Sequence, residues 1–335
     1  MIWGKIISFT DNGAKIAQKI VDLMPNDKIE IYRRSIDASL DNTSLKRMVQ
    51  QAMVDCKLII FVGATGIAVR AIAPYLQGKT YDPAVLVIDE QGKFVISLLS
   101  GHLGNANDLA KMIANKLNAL PVITTATDAR GVFAVDTWAK NNKCAVIEPD
   151  RIKYISGALL KGENIGLKSD FSGVRPINMV NFAENGFVVA LNANENPFKN
   201  TLHLIPKILH IGIGCRKNTS LDNISKAIKI ALDKYSIDIR AVCSIASIDI
   251  KQNEAGILAF CRENNLPFKT FTADELNSLD GEFTKSEFVR KTVNVDNVCE
   301  RSAVLSAKNH DLICKKLSYS GVTVAIAREK WEMKF

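Results

Sequence analysis

His102 stands in a turn of small and polar residues, Ser100-Gly101-His102-Leu103-Gly104-Asn105-Ala106-Asn107. An imidazole with an ordinary pKa of about 6.5 suits general acid–base work. A lone histidine is more often a core residue on an apolar helix face, and the flanking glycines of this turn leave both readings open. Two further turns place glycines just before helical patterns. One is Val62-Gly63-Ala64-Thr65-Gly66, with Arg70 one turn later. The other is Gly212-Ile213-Gly214-Cys215-Arg216-Lys217-Asn218-Thr219-Ser220. At each, the first N–H groups of a helix have no intrahelical acceptor, and the macrodipole favours an anion. Glycines also serve tight turns with no ligand involved.

These segments supply three sets of candidate carboxylate- or phosphate-binding residues. They are Gly63, Thr65, Gly66 and Arg70; Ser100, Gly101, Gly104, Asn105 and Asn107; and Gly214, Cys215, Arg216, Lys217 and Thr219. The polar stretch 124–131 adds Thr125, Asp128 and Arg130. Residues 292–303 bring Cys299, Glu300 and Arg301 together near a helix start. Arg216 and Lys217 would lower the pKa of a Cys215 thiol. No histidine base stands beside that thiol in the sequence, since His210 precedes the turn. Binding is therefore the better role for Cys215.

Several function classes are excluded. Gly212-x-Gly214 has Lys217 where a dinucleotide fingerprint needs its third glycine, and no GxxxxGK[ST] occurs. The seven cysteines include no CxxC, and their odd number argues against a disulfide framework. Four histidines with no HxxxH spacing make a structural zinc site a poor expectation. The net charge is +8, from 43 basic and 35 acidic side chains. Residues 1–206 and 207–335 carry +4 each, without a basic block, so nucleic acid is not the expected partner. Hydrophobic residues make up 47% and charged residues 23%, which fits a globular protein rather than a disordered one. The charge-free stretch 58–69 is too short to span a membrane. Residues 1–5 do not resemble a signal peptide, so the expected location is the cytoplasm.

The elements that must position these turns follow an alternating pattern. Strands are expected at 2–9, 58–62, 84–88, 94–98 and 120–124. Helices are expected at 13–23 behind an Asp11 cap, and at 44–54, 67–76 and 104–117. From 207 a second alternation begins, with strands at 208–213, 241–245, 268–271 and 322–327. Its helices are a long one after Thr219 or Ser220, one at 252–264, and a capping box at 272–275. The stretch between is rich in Asn, Lys, Gly and Pro, with a short strand at 187–191. The fold class is α/β: two α/β domains with mainly parallel sheets, joined by a smaller, irregular middle domain. The boundaries are 1–131, 132–206 and 207–335.

Two long segments, PAVLVIDEQGKFVISLLSGHLGNANDLA (83–110) and PVITTATD (121–128), resemble the CbiG family of cobalamin biosynthesis proteins. The second half agrees in the same order: HIGIGCRKNTS (210–220), SIDIKQNEAGILAF (247–260), VDNVCERSA (295–303) and SGVTVAIAR (320–328). Asn105 and Asn218 stand where the family usually has glycine. Asparagine tolerates left-handed backbone better than most residues, so the turns are expected to persist. The C-terminal half also resembles CobE, a shorter protein of the aerobic route.

The resemblance implies a hydrolase of the anaerobic cobalamin pathway. Water opens the ring A δ-lactone of cobalt-precorrin-5A, and C20 leaves with its methyl group as acetaldehyde, giving cobalt-precorrin-5B. No cofactor is expected, because cobalt arrives with the substrate. The expected partner is this small-molecule cobalt-corrinoid, and other enzymes of the pathway are possible partners. Neither nucleic acid nor a membrane is expected, and the oligomeric state stays open. Read back onto the residues, His102 is the base. The N–H groups of 103–105 or the Asn107 side chain receive the oxyanion, and Asp128 or Glu300 orients the histidine or protonates the leaving oxygen. Arg70, Arg130, Arg216, Lys217 and Arg301 suit the substrate's carboxylates. A non-catalytic corrinoid carrier is the alternative, since the same turns would serve it.

Overall fold

A computed structural model describes residues 3–33, 42–78, 81–125, 132–308 and 311–335. The chain is mixed α/β with three mostly parallel sheets, and it divides into two compact units, Met1–Thr137 and Trp138–Phe335. None of the helices among the described residues is long and apolar enough to cross a membrane.

The N-terminal unit begins with β1 (Trp3–Ser8), α1 (Asp11–Asp22), β2 (Lys28–Arg33), α2 (Asn42–Asp55), β3 (Leu58–Val62), α3 (Thr65–Ile72) and β4 (Ala84–Ile88). The four strands run parallel in the order β2-β1-β3-β4. Every residue of β3 and β4 is buried, the signature of strands covered on both faces. Then β5 (Phe94–Leu99) turns back antiparallel to β4. After it come α4 (Ala106–Leu117) and β6 (Leu120–Val122), which runs parallel to β5.

Side-chain alternation divides the core. Ile6, Leu58, Ile60 and Leu86 pack with Ile16, Ile20, Leu109 and Ile113 of α1 and α4. Ile7, Ile59, Phe61 and Val85 pack with Val49, Met53, Ala68 and Ile72 of α2 and α3. Each fully buried side chain of this kind contributes about 1.5–3 kcal/mol. Thr10, rather than Asp11, caps α1: its extended backbone lets the hydroxyl accept the Gly13 N–H at 3.0 Å. Asp11 is the first helical residue, where its carboxylate meets the positive end of the helix.

The chain passes from one unit to the next within a short helix, α5 (Val135–Asn141). Residues 144–206 supply β7 (Cys144–Val146), α6 (Ile152–Leu160), β8 (Ile165–Ser169), β9 (Met179–Val180), β10 (Asn185–Val189) and β11 (Asn200–Pro206). They form a five-stranded sheet in the order β7-β11-β10-β8-β9, with only β7 antiparallel. A Cβ on Gly166 or Gly186 would run into the Phe198 ring, which lies across β8 and β10.

The last segment supplies β12 (Leu209–Cys215), α7 (Leu221–Lys234), β13 (Val242–Ile248), α8 (Ala255–Glu263), β14 (Phe268–Phe271) and α9 (Ala273–Asn277). It continues with α10 (Glu287–Val293), α11 (Cys299–Ser306), β15 (Leu312–Tyr319) and β16 (Val322–Arg328). The sheet order is β14-β13-β12-β16-β15, with β12, β13 and β14 parallel. Ser220 caps α7, and Thr272 with Glu275 forms the expected capping box. One face buries Ile211, Ile213 and Ile245 under Ile224, Ile228, Ile257 and Phe260. On the other, Cys299 and Ala303 of α11 lie on Ala325 and Ala327.

Two features make α11 a structural keystone. A Cβ on Gly212 would collide with the Cys299 carbonyl oxygen, so β12 and α11 meet backbone to backbone. Beside that contact, His210 Nδ1 lies 2.8 Å from Ser244 Oγ and 3.0 Å from Ser306 Oγ, tying β12, β13 and α11 together. Its Nε2 faces the Glu329 carboxylate at 3.7 Å. Burial pushes the His210 pKa down to about 4, with the Lys269 charge acting in the same direction and Glu329 against it.

Gly212→Ala is expected to destabilise the protein by about 2 kcal/mol or more, read as a lowered denaturant midpoint. Because folded His210 holds its proton less tightly than an unfolded histidine, the unfolded state gains protons first as pH falls. Stability should therefore decline from about pH 6.5 towards pH 4, by at most about 1.4 kcal/mol per pH unit from this group. The decline should be shallower in His210→Asn, measured by denaturant unfolding across that range.

Candidate functional site

Two places gather polar residues. The first lies in the N-terminal unit, where the segments following β5 and β6 meet. Ser100 takes left-handed backbone (φ 57°) and its hydroxyl donates to the Asp82 carbonyl at 2.9 Å. A Cβ on Gly104 would collide with Ser100, and one on Gly101 would crowd the Asn107 amide. The turn thus closes tightly under His102. His102 Nδ1 lies 3.0 Å from Asp136 Oδ2, and both side chains are largely shielded. Burial would push the Asp136 carboxyl up, but the His102 hydrogen bond and charge, with the Thr137 N–H on Oδ1, hold it below its usual range. With the Nδ1 proton shared with an ionised Asp136, Nε2 is the basic nitrogen of the neutral ring.

The donors around His102 sort themselves by what they already bind. The N–H of Asn105 donates to the His102 carbonyl at 3.0 Å, that of Ala106 to Ser100 at 3.2 Å and that of Asn107 to Gly101 at 3.0 Å. Among the described residues no acceptor takes the N–H groups of Leu103 and Gly104. The Asn107 amide is turned inward, only 3% exposed, and donates to Thr125 Oγ1 at 3.1 Å. It braces the turn against the segment after β6. Asp128 and Arg130 lie outside the described residues.

Gly63, Thr65, Gly66 and Arg70 do not join this cluster. They follow β3, whose carboxyl end lies beside Ile88 at the end of β4, and the Gly63 N–H donates to the Ile88 carbonyl at 2.8 Å. The His102 turn follows β5, whose last residue pairs with Val85 at the start of β4. The two turns sit at opposite ends of the sheet, roughly 15 Å apart along a five-residue strand.

The second place is a cleft of about 750 Å³ in the C-terminal unit, at the carboxyl ends of β12 and β13. Open α/β sheets bind ligands at such ends. Gly214, Cys215, Arg216 and Lys217 line it, as does Lys316 on β15. Its apolar wall includes Ile250, Phe288 and Val289. Thr219 serves the turn itself: its hydroxyl donates to the Arg216 carbonyl at 2.7 Å and its N–H to Glu254 Oε1 at 3.1 Å. Glu254 in turn pairs with Lys251 at 2.9 Å. Burial raises the Cys215 pKa, with Lys251 opposing, contrary to the lowering expected from Arg216 and Lys217.

Glu300 and Arg301 belong to the framework. Glu300 is fully buried; Oε2 accepts the Thr284 N–H at 2.7 Å, and Oε1 accepts the Thr284 hydroxyl at 2.8 Å and the Lys316 N–H at 2.7 Å. It is therefore not the carboxylate on His102; Asp136 is. Arg301 binds Asp296 at 2.9 Å and the carbonyls of Leu276 and Leu279, with Phe283 under its guanidinium. These bonds engage the side chain inside the protein.

Residues 47–128 match the family model described as Cobalamin synthesis G N-terminal, and residues 209–327 the model described as Cobalamin synthesis G C-terminus. A cobalt-precorrin-5A hydrolase from Salmonella typhimurium is 33% identical, over 96% of this chain and 96% of that protein. The chain belongs to the CbiG family. A second cobalt-precorrin-5A hydrolase, from Priestia megaterium, is 27% identical over 96% of this chain and 94% of its own length. Among solved structures, a cobalamin biosynthesis protein G homologue from Sulfolobus solfataricus aligns over 98% of both chains, at 25% identity and a TM-score of 0.40. CobE aligns with 38% of this chain and 94% of its own, at 24% identity and a TM-score of 0.36.

The two asparagines that replace usual CbiG glycines both adopt left-handed backbone, Asn105 at φ 73° and Asn218 at φ 60°. The CbiG motifs mark the two turns but not their partners. Asp136 was missed, although an acid in the first turn of a helix just beyond the polar 124–131 stretch was a usable signal. Lys316 and Phe288 reach the cleft only through tertiary packing and carry no local signal.

Glu300→Gln places a donor where three donors already converge. A loss of about 2–4 kcal/mol is expected, seen as a lower melting temperature. If Glu300 acted on substrate instead, turnover would fall with the melting point unchanged.

Proposed function

We infer that the protein is a cobalt-precorrin-5A hydrolase of cobalamin biosynthesis. Its near full-length similarity to the Salmonella typhimurium enzyme carries the reading. The His102–Asp136 pair, inside the most distinctive motif of the N-terminal unit, gives that reading its chemistry. His102 Nε2 takes a proton from water, and the resulting hydroxide adds to the lactone carbonyl carbon. The N–H groups of Leu103 and Gly104 receive the oxyanion. Its collapse breaks the acyl C–O bond, leaving a carboxyl group and an oxygen anion on C20. An electron pair of that oxygen forms the carbonyl of acetaldehyde as the bond from C20 to the macrocycle breaks. The pair from that bond stays on the macrocycle, where the proton held by His102 balances it. Asp136 remains ionised and holds the imidazole in one tautomer and orientation. Cobalt enters with the substrate, so the reading assigns the protein no cofactor of its own.

Anaerobic incubation with cobalt-precorrin-5A should release many equivalents of acetaldehyde per protein. Tight binding with no aldehyde would turn the reading to a carrier. His102→Ala should lower kcat by about 10²-fold or more, and unchanged turnover would remove it from the mechanism. Asp136→Asn should lower kcat by about 10–100-fold while KM stays near wild type. A parallel loss of kcat and melting temperature would mark Asp136 as structural only.

A further inference from the structure

We propose that the cleft of the C-terminal unit holds the polycarboxylate macrocycle: Arg216, Lys217 and Lys316 take peripheral carboxylates, and Phe288, Ile250 and Val289 cover an apolar ring face. This rests on the cobalt-corrinoid reading above and adds where, and by which groups, such a ligand is held.

Three observations converge. The first is charge. Lys251 is neutralised by Glu254 within the wall, but among the described residues no carboxylate lies within ion-pair distance of Arg216, Lys217 or Lys316. Three like charges around one cavity repel each other until anions enter. The second is exposed apolar surface. Phe288 is 78% and Ile250 63% exposed, on the wall of that same cavity. Large apolar side chains left open beside cations mark a ligand surface rather than a core. The third is size. About 750 Å³ lies in the upper part of the range for small-molecule pockets and far exceeds what a phosphate or single carboxylate needs.

Cations alone would suit any anion, and the apolar wall alone a lipid. Together they select an amphipathic ligand with a broad apolar face and acids at its rim, which is the chemistry of an acetate- and propionate-bearing tetrapyrrole. Gly214 keeps the floor low: Thr323 donates to its carbonyl at 3.1 Å, and a Cβ there would strike the Thr323 hydroxyl.

The test uses the full chain and two stable cobalt corrinoids, dicyanocobyrinic acid and its fully methyl-esterified form, titrated by calorimetry at low and moderate salt. The acid should bind at least ~10-fold more tightly than the ester, and its affinity should fall as salt rises. Lys316→Ala and Arg216→Ala should each weaken the acid by about 10-fold and leave the ester unchanged. Phe288→Ser, at an exposed position, should weaken both by the same factor. Equal binding of acid and ester, or wild-type affinity in all three variants, would overturn the proposal. So would displacement of the acid by sulfate at similar concentration, which marks a simple anion site. Acetaldehyde release by the same preparations separates the two claims. An active wild type whose cleft variants keep the wild-type KM ends the cleft proposal and leaves the hydrolase. Cleft-dependent binding by a wild type that releases no aldehyde supports the cleft and ends the hydrolase.

Discussion

The hairpin between β4 and β5 sets the geometry of the N-terminal unit. The Asp89 side chain accepts the Gln91 N–H at 3.0 Å and the Phe94 N–H at 2.6 Å, and Gly92 supplies the positive φ of 70° that closes the turn. The chain therefore runs back along β4, and whatever follows β5 arrives at the opposite end from the other strand–helix turns. Parallel pairing of β6 with β5 then brings Thr125 to the same end as His102. One reversal thus decides that Asn107, Thr125 and Asp136 surround the histidine while Arg70 stands apart. Glycine is obligatory at Gly104 because the turn after β5 must also clear Ser100.

The C-terminal unit solves a different problem. Its cleft must keep several cations close together in a folded protein. It does so by engaging the nearby acids with other partners, including Glu254 in the cleft wall. Glu254 holds Lys251 and the Thr219 N–H, Glu300 holds Thr284 and the backbone of Lys316, and Asp296 holds Arg301. Each carboxylate is paired where it is buried, which removes the cost of an isolated charge. Arg216, Lys217 and the Lys316 side chain are left facing the cavity. The direct contact of β12 with α11 through Gly212 matters for the same reason, because α11 begins at the cleft wall and carries Glu300.

The sites proposed for acid–base chemistry and for ligand holding draw on different physical resources. The Asp136 carboxylate would fix the His102 tautomer, and burial, which pushes its pKa up, is outweighed chiefly by the hydrogen bond and charge of the histidine itself. The cleft needs the reverse: cations without carboxylates, beside apolar surface. Cys215 shows how local sequence misleads here. Two adjacent cations suggest a lowered thiol pKa, yet burial dominates and the cation that opposes it is Lys251, not Arg216 or Lys217.

Much of this architecture was legible in the amino-acid sequence. The continuous apolar run at 58–62 announces a buried parallel strand because a strand covered on both faces has no polar side. The cap at Thr272 is readable, and that of α7 narrows to Thr219 or Ser220, because capping is a contact over three residues. The family resemblance followed from long contiguous motifs, and so did the left-handed asparagines. The middle sheet was largely hidden: its strands are short and interrupted by Asn, Gly and Pro, so periodicity over so few residues says little. The partners of each site residue were hidden as well. His102 meets Asp136 across 34 positions and Thr284 meets Glu300 across 16, and no local rule relates them. Residue types and turns are properties of neighbours along the chain, so the sequence alone determined them. Which carboxylate meets His102 and which ties elements of the fold together depends on burial and approach, and only the tertiary structure decided that.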